Sequence, residues 1–332
     1  MAILLTGAAG FIGFHVSQAL LARGEQVIGV DNLNSYYDPR LKQARLERLS
    51  GQEGFSFYEV DIADRPAMAD LVAGQVGITA IVHLAAQAGV RYSMQEPFDY
   101  VASNLMGHVV MLETARHLPR LEHMVFASSS SVYGANTRLP FSETDRVDTP
   151  LSLYAATKRA DELMSHAYAH LYGIRQTGLR FFTVYGPWGR PDMAYFSFAQ
   201  AIMRGDPITL YDAGRLRRDF TYIDDIVDGV VGCLDRPAEG TPPIRLLNIG
   251  NSGSETVLRL VELLEAGLGR RAVVRHAGRP LADVTETFAD VAAIGALTGF
   301  APKTSLSVGI QRFTEWYLDW AEPKGTPYED LG

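Results

Sequence analysis

Short apolar runs alternate with longer segments of helical period through the first half of the chain. An apolar run bounded by polar or glycine residues indicates a buried strand, whereas apolar residues three and four apart indicate an amphipathic helix. The predicted strands are Ile3–Thr6, Gln26–Val30, Phe55–Glu59, Ala80–Leu84, Met124–Ala127 and Arg175–Phe181. The predicted helices are Gly10–Arg23, Arg40–Leu49, Arg65–Gly74, Phe98–His117 and Leu153–Tyr172. This alternation predicts an α/β fold with a doubly wound parallel sheet that is covered by helices on both faces.

The pattern changes from about Val184, where glycine and proline become frequent and the helical segments shorten. Two later segments, Asp219–Asp235 and Arg245–Gly250, again have the pattern of strand and helix, and we expect both to return to the main sheet. The sequence therefore predicts two discontinuous domains. The first comprises residues 1–183 and about 219–250, and a smaller α/β domain comprises about 184–218 and 251–332.

Composition narrows the class of protein. The net charge of −8 argues against a broad basic surface for nucleic acid or an anionic membrane. A single cysteine, Cys233, excludes an intramolecular disulfide, and the histidines lack metal-ligand spacing, so we expect no metal site. No apolar stretch approaches the roughly 20 residues of a membrane-spanning helix. The chain starts with a strand-like segment rather than a signal peptide, and we expect a cytoplasmic protein.

A glycine-rich turn follows the first predicted strand and opens the first predicted helix. Its glycines are Gly7, Gly10 and Gly13. Glycine lets the backbone approach a pyrophosphate, and the helix N-terminus supplies N–H donors. Asp31 closes the second strand, where a carboxylate accepts hydrogen bonds from a ribose diol and repels a 2′-phosphate. The glycine-rich turn and Asp31 together predict a site that binds NAD rather than NADP. Asp61 and Ile62 are expected to lie near the adenine of this cofactor. The alternatives are a turn without a ligand and a helix cap at Asp61.

Tyr154 and Lys158 stand four residues apart in a predicted helix and so share one face. A nearby ammonium favours tyrosinate, which can take a proton from an alcohol while hydride leaves the same carbon. This spacing is common on helix surfaces by chance, but the upstream glycine turn favours a functional pair. His83, at the end of a strand, is interpreted as a packed histidine rather than a catalyst.

Four serines, Ser128–Ser131, follow the predicted strand Met124–Ala127. Open α/β sheets place their ligands at the carboxyl ends of strands, so we expect these hydroxyls to line a site. The run contains no acid. The alternative is that the hydroxyls only satisfy backbone groups at a strand end.

Taken together, these motifs resemble those of the extended short-chain dehydrogenase/reductases that act on nucleotide sugars. The motifs are TGAAGFIG, HLAAQAGVR, SSSSVYG, YxxxK, RFFTVYGPWGRPDMA, RRDFTYIDDI and DVTETFAD, and they span nearly the whole chain. Within that family the chain looks most like the UDP-glucuronate 4-epimerases, through HLAAQAGVRYS, NSYYDPRLK and TVYGPWGRPDMA. The resemblance implies a Rossmann domain with tightly held NAD and a smaller C-terminal domain for the nucleotide sugar.

The resemblance also implies roles for individual residues. Tyr154 is expected to be the catalytic base, Lys158 its partner, and Ser129 the hydroxyl that binds the reacting sugar oxygen. The implied cofactor-binding residues are Gly7, Gly10, Phe11, Ile12, Gly13, Asp31, Asn32, Asp61, Ile62, Leu84, Ala85, Ala86, Asn104, Tyr154 and Lys158. The implied substrate-binding residues are Arg91, Ser129, Ser130, Ser131, Tyr154, Thr183, Arg190, Tyr211, Arg218, Arg279 and Asp283.

Some substrate roles are more specific. Thr183 and Arg190 are assigned to a sugar carboxylate, and Arg218 to the diphosphate. Arg279 and Asp283 resemble the family's arginine and ribose-binding aspartate, although one extra residue separates them here. Arg215 and Arg217 are interpreted as solvated loop charges.

The reaction implied by the resemblance is inversion of carbon 4 of UDP-glucuronate to UDP-galacturonate through a 4-keto sugar. Related dehydratases carry an aspartate–glutamate pair after the strand, and related decarboxylases typically a glutamate, whereas Ser129–Ser131 offer only hydroxyls. Hydroxyls can hold a carboxylate without driving elimination. The alternatives are a UDP-glucose or UDP-N-acetylglucosamine 4-epimerase and, less favoured, a decarboxylase.

Two further classes are disfavoured, a non-catalytic NAD-binding sensor and a structural scaffold. Sensors usually lose the Tyr–Lys pair, which this chain retains as Tyr154 and Lys158. The resemblance further implies a homodimer formed through the helices Phe98–His117 and Leu153–Tyr172.

Overall fold

The computed structural model describes residues 1–278 and 284–321. The strands in these ranges are β1 (Ala2–Thr6), β2 (Gln26–Asp31), β3 (Phe55–Glu59), β4 (Ile78–His83), β5 (His123–Ser129), β6 (Gln176–Phe181), β7 (Thr183–Tyr185), β8 (Pro207–Tyr211), β9 (Arg217–Arg218), β10 (Phe220–Tyr222), β11 (Ile244–Ile249), β12 (Glu255–Thr256) and β13 (Val273–Ala277). The helices are α1 (Phe11–Ala22), α2 (Pro39–Ser50), α3 (Arg65–Ala73), α4 (Pro97–Tyr100), α5 (Gly107–His117), α6 (Leu153–Tyr172), α7 (Ala194–Arg204), α8 (Ile223–Leu234), α9 (Val257–Leu268), α10 (Ala292–Thr298) and α11 (Leu306–Ala321).

The main sheet is parallel and has the strand order β11-β6-β5-β4-β1-β2-β3. Strands β1 and β6 are buried along their whole length, which explains why their sequences are not alternating. The order reverses between β1 and β4, where Thr6 lies beside His83. The predicted α/β fold with a parallel sheet is confirmed.

The predicted helix Phe98–His117 is interrupted. Between α4 and α5 the chain forms a π-helical turn over Val101–Met106. Such turns change which side chains a helix directs inward. Here the turn buries Asn104, whose Oδ1 accepts from the Gln87 N–H at 2.8 Å and whose Nδ2 donates to the Gln87 carbonyl at 3.1 Å. A local insertion of this kind leaves the apolar period almost unchanged, so the sequence did not reveal it.

Within residues 1–278 and 284–321, three small sheets accompany the main one. β7 pairs with β10, β8 with β13, and β9 with β12. Strand β11 returns to the main sheet as expected, but the expectation was wrong for the strand in Asp219–Asp235, because β10 pairs with β7 outside that sheet. Its helix, α8, packs against α1.

The domain boundaries remain a prediction. In the described ranges no helix is both long and apolar enough to span a membrane.

Candidate active site

A cleft of about 1520 Å³ opens where the strand order reverses between β1 and β4. Open α/β sheets bind ligands at this point. Pockets for single small ligands have volumes of roughly 300–1,000 Å³, so this cleft has room for a dinucleotide together with a second ligand. The predicted site residues that line it are Gly7, Gly10, Phe11, Ile12, Gly13, Asp31, Asn32, Ile62, Leu84, Ala85, Ala86, Arg91, Ser129, Ser130, Ser131, Tyr154, Lys158, Thr183, Arg190, Tyr211 and Arg218.

The glycine-rich turn forms one wall of the cleft. Gly7 has a φ of 76°, and a Cβ there would lie 2.8 Å from the Ala85 nitrogen. A Cβ on Gly13 would collide with the Gly7 carbonyl. Helix α1 begins at this turn without a side-chain cap and without an acid in its first turn. Its N-terminal amides and dipole therefore suit the pyrophosphate of NAD.

Asp31 ends β2 beside this turn and is 8% exposed. Its Oδ2 accepts from the Ala9 N–H at 3.2 Å, and its Oδ1 accepts from the Leu33 N–H at 2.9 Å. Lys42 places Nζ 4.0 Å from Asp31 Oδ1 and donates to both Asn34 oxygens, the carbonyl at 2.9 Å and Oδ1 at 2.8 Å. The sequence analysis missed Lys42. Its only signal was the NSYYDPRLK motif, and the pairing with Asp31 depends on how α2 packs.

Two of the predicted cofactor-binding residues, Asp61 and Asn104, are not among the residues that line the cleft. Asp61 accepts from Asn32 Nδ2 at 2.9 Å and from the Ala63 N–H at 2.8 Å. Asn104 bonds the backbone of Gln87 and donates to Thr157 Oγ1 at 3.0 Å. Direct contact of either side chain with a cofactor stays a prediction. Arg279 and Asp283 lie outside the described residues.

The tyrosine and the lysine come from the start of α6. Ser152 caps this helix by accepting from the Ala155 N–H at 3.1 Å, and this cap places Tyr154 in the first turn. Tyr154 is half-buried and its ring centroid lies 6.1 Å from that of Tyr100. Lys158 is 3% exposed. Both residues line the cleft, as their spacing predicted.

His83 lies behind the lysine. Its Nδ1 is 2.7 Å from Thr6 Oγ1, and its ring stacks on His108 with centroids 5.3 Å apart. Burial, aided by the nearby Lys158 charge, lowers the pKa of His83 to about 3. The ring is therefore neutral and packed at neutral pH, in keeping with its interpretation from sequence.

The four serines have different environments. Strand β5 continues through Ser129, and a 3₁₀ turn begins at Ser130. Ser128 also contributes to the lining of the cleft, but its hydroxyl donates to the buried carboxylate of Glu162, to Oε1 at 2.7 Å, rather than to the backbone groups that the alternative named. Ser129 Oγ lies 3.1 Å from Ser131 Oγ and accepts from the Ser131 N–H at 3.2 Å. Ser129, Ser130 and Ser131 line the cleft.

Arg190 lies in the loop after β7 and lines the cleft. Its Nε and Nη2 donate to the two carboxylate oxygens of Asp192 at 3.1 and 2.9 Å. Tyr36 Oη donates to the same carboxylate at 3.1 Å. Burial lowers the pKa of Arg190, but Asp192 and the surrounding tyrosines outweigh burial and the net shift is upward. Arg190 is thus a charged group that already has one carboxylate partner, which the sequence did not indicate.

The other end of the cleft carries further arginines. The Arg91 guanidinium lies 5.5 Å from the Tyr211 ring centroid. Arg218 donates to the carbonyls of Arg217 and Val284, each at 2.9 Å. Arg217 lies in strand β9 rather than in a loop, and its side chain, which is 40% exposed, pairs with Glu286 at 3.1 Å. Among the described residues, no group of three or more histidine, cysteine or acidic side chains could hold a metal ion.

A parallel sheet, a glycine-rich turn and a tyrosine–lysine pair on one cleft define an α/β enzyme that uses a nicotinamide cofactor. The chain belongs to the NAD-dependent epimerase/dehydratase family, whose sequence profile matches residues 3–250. The family predicted from the motifs and the NAD cofactor are both confirmed.

Its relatives include named epimerases. UDP-glucuronate 4-epimerase 1 of Arabidopsis thaliana is 48% identical over 335 residues, which cover 96% of this chain and 77% of that protein. The crystal structure of UDP-glucuronic acid 4-epimerase from Bacillus cereus in complex with UDP-glucuronic acid and NAD matches with a TM-score of 0.88 at 33% identity, covering 96% of this chain and 100% of that chain. UDP-glucose 4-epimerase from Thermotoga maritima, crystallised with UDP-glucose, matches with a TM-score of 0.87 at 30% identity, covering 97% and 100%.

Proposed function

We propose that this chain is a UDP-glucuronate 4-epimerase that inverts carbon 4 to give UDP-galacturonate. The observation that carries the proposal is the combination of Ser129–Ser131 with Arg190 on the same cleft as Tyr154 and Lys158. The hydroxyls and the guanidinium are donors suited to a carboxylate, and the serine run contains no acid that would repel one. The named relatives support the same substrate.

The glycine turn would hold NAD, which would supply reversible hydride transfer at carbon 4 of the sugar. Tyr154 takes the proton of the carbon-4 hydroxyl and later gives it back. The Lys158 ammonium favours the deprotonated form of Tyr154. Ser129 binds the reacting oxygen. Because the sugar must present both faces to the cofactor, the width of the cleft is a requirement of this mechanism.

The 4-keto form of UDP-glucuronate is a β-keto acid, which loses CO₂ readily. We assign the restraint of its carboxylate to Thr183, Arg190 and the hydroxyls of Ser130 and Ser131. Two of these groups already have partners, since the Ser131 hydroxyl oxygen accepts from Ser129 Oγ and Arg190 donates to Asp192. Fixed donors stabilise charge at a lower cost than mobile ones.

The test is turnover of UDP-glucuronate by the purified protein without added cofactor, followed by proton NMR of the anomeric signals. A growing UDP-galacturonate signal without a pentose product supports the proposal and shows that NAD is retained. UDP-xylose or a lasting 4-keto pentose would move the assignment to a decarboxylase. The Tyr154→Phe variant is the control for contaminating activity.

A 4-epimerase for UDP-glucose is the second candidate, and the pairing of Arg190 with Asp192 favours it. A guanidinium that already faces a carboxylate exerts a weaker field on a second one. The same NMR experiment with UDP-glucose separates the candidates. Faster turnover of UDP-glucose than of UDP-glucuronate would overturn the main proposal.

We also propose that the chain forms a homodimer through the region around α4, α5 and α6. Large apolar side chains are exposed there, including Phe98 at 83%, Leu163 at 55% and Met106 at 55%. Exposed apolar clusters of this kind are typical of protein–protein interfaces. Light scattering of the wild type and of Phe98→Glu tests this proposal, and a monomeric wild type would overturn it. The cytoplasmic location remains a prediction.

A further inference from the structure

Arg45 is a fully buried guanidinium on α2, with 0% of the residue exposed. Its five hydrogen bonds to described residues all end on neutral oxygens. Nη1 donates to the Ala9 carbonyl at 2.8 Å and to Tyr37 Oη at 2.7 Å. Nε and Nη2 donate to the Trp188 carbonyl at 3.1 and 2.7 Å, and Nη2 also donates to the Gly189 carbonyl at 3.0 Å.

Burying a charge against neutral groups alone is costly unless its hydrogen bonds are satisfied. Here they connect two distant segments of the chain. The Ala9 carbonyl belongs to the glycine-rich turn of the cofactor site. The carbonyls of Trp188 and Gly189 belong to the loop that carries Arg190. Arg45 is therefore a rigid link between the cofactor turn and that loop.

The loop itself needs such a link. Trp188 has a φ of 60°, in the left-handed region that a bulky residue rarely adopts. Strained backbone persists only where the surroundings hold it in place. Nε and Nη2 of Arg45 both donate to the Trp188 carbonyl, and Nη2 also donates to the Gly189 carbonyl. That last carbonyl belongs to the peptide group whose nitrogen is that of Arg190.

We propose that Arg45 is a positioning residue that sets the place of Arg190 at the sugar end of the cleft. It does so by fixing the Trp188–Gly189 backbone to the glycine-rich turn, without touching the substrate itself. The inference rests on the proposed function, in which Arg190 faces the carboxylate of UDP-glucuronate. Lysine cannot replace Arg45, because an ammonium lacks the planar fork that reaches three carbonyls at once.

The test compares the affinities of two ligands in the NAD-loaded enzyme. UDP-glucuronate carries the sugar carboxylate, and UDP lacks it. All variants are made in a Tyr154→Phe background so that the ligand is not converted, and dissociation constants are measured by calorimetry. Arg190→Met should raise the dissociation constant of UDP-glucuronate by roughly 10- to 100-fold, the range expected for a lost hydrogen bond to a charged group. The dissociation constant of UDP should stay within about twofold of its parent value.

Arg45→Lys should reproduce the selective loss seen in Arg190→Met. The double variant should bind UDP-glucuronate no more weakly than Arg190→Met alone, because both changes remove the same interaction. Arg48→Met is the matched control. Arg48 is exposed on the same helix and lies 4.6 Å from the Trp188 ring centroid, but it contacts the side chain rather than the strained backbone. This variant should keep the selectivity of the parent.

An equal loss of UDP and UDP-glucuronate affinity in Arg45→Lys would overturn the inference, since it would show a general structural role. A selective loss in Arg190→Met that Arg45→Lys does not share would also overturn it, while leaving the proposed function intact. An unchanged UDP-glucuronate affinity in Arg190→Met would instead overturn the role of Arg190. If Arg45→Lys does not fold, Tyr37→Phe removes one acceptor of the guanidinium and should show the same selective loss at smaller amplitude.

Discussion

Lys158 donates from Nζ to Oδ2 of Asp161 at 3.0 Å, and both side chains are almost completely buried. The other oxygen of Asp161 is buried without a hydrogen-bond partner among the described residues. Burial raises the pKa of Asp161 to about 6, although Lys158 opposes the shift. The ionised carboxylate beside Lys158 is therefore less favourable in the folded chain than in the unfolded chain.

We expect the stability of the protein to depend on pH through Asp161. The folded pKa of about 6 lies above the ordinary value of 3.8, so the folded state holds an extra proton between these values. The contribution of Asp161 to the free energy of unfolding is therefore largest at the acidic end of this range, near pH 3.8, and it falls as the pH rises toward about 6. In Asp161→Asn this dependence is absent. The free energy of unfolding of the variant, relative to wild type, should therefore rise with pH across the window in urea titrations.

Asp70→Asn is the control for that experiment, because Asp70 is an exposed aspartate on α3. Its difference from wild type should stay flat over the same pH range. A flat difference for Asp161→Asn as well would contradict the assignment of the window to Asp161.

Tyr154→Phe should lower the epimerisation rate by about 10²- to 10⁴-fold, the usual contribution of a general base. The content of bound NAD should be unchanged, because the ring that lines the cleft is retained. Tyr168→Phe makes the same chemical change on the same helix, where the hydroxyl bonds Glu113 at 2.8 Å outside the cleft. A similar loss of rate in Tyr154→Phe and Tyr168→Phe would contradict the proposed catalytic role of Tyr154.

The serine run should divide into a structural and a functional part. Ser128→Ala removes a buried hydrogen bond to Glu162 and should lower the free energy of unfolding by about 1–2 kcal/mol, with no change in the products. Ser130→Ala should leave stability nearly unchanged and raise the share of decarboxylated pentose product. Thermal unfolding and proton NMR measure the two effects, and pentose from Ser128→Ala alone would reverse the assignment.

Gly7→Ala should abolish retention of NAD. The added Cβ meets the Ala85 backbone, and a φ of 76° is unfavourable for alanine. The ratio of absorbance at 260 and 280 nm of the purified protein reports the bound cofactor. Gly51→Ala is the control, because Gly51 ends α2 with a φ of −84° and open space around its Cβ position. Retention of NAD by Gly7→Ala would argue against the glycine turn as the cofactor site.

Much of this site could be predicted because its signals are local. The glycine turn, Asp31 and the Tyr154–Lys158 pair each depend on spacing within one strand–turn–helix unit or one helix. Backbone geometry converts such spacing directly into shared position. Strands β1 and β4 were recognisable for a similar reason, since their buried sequences are almost continuously apolar, whereas β6 also buries Gln176, Thr177 and Arg180.

The residues that the sequence did not reveal are defined by distant partners. Ser128 cannot be distinguished by sequence from the serines that follow it, and only the structure shows its hydrogen bond to Glu162. Arg45 carried no sign that its guanidinium ends on Trp188, 143 positions away. The sequence alone thus determined the family and the cofactor, through motifs that span nearly the whole chain, and it placed Tyr154 and Lys158 on one helix face, because a spacing of four residues fixes that position locally. Only the tertiary structure decided which charged and polar groups are buried and against what, because burial and pairing depend on the packing of segments that are far apart in the chain.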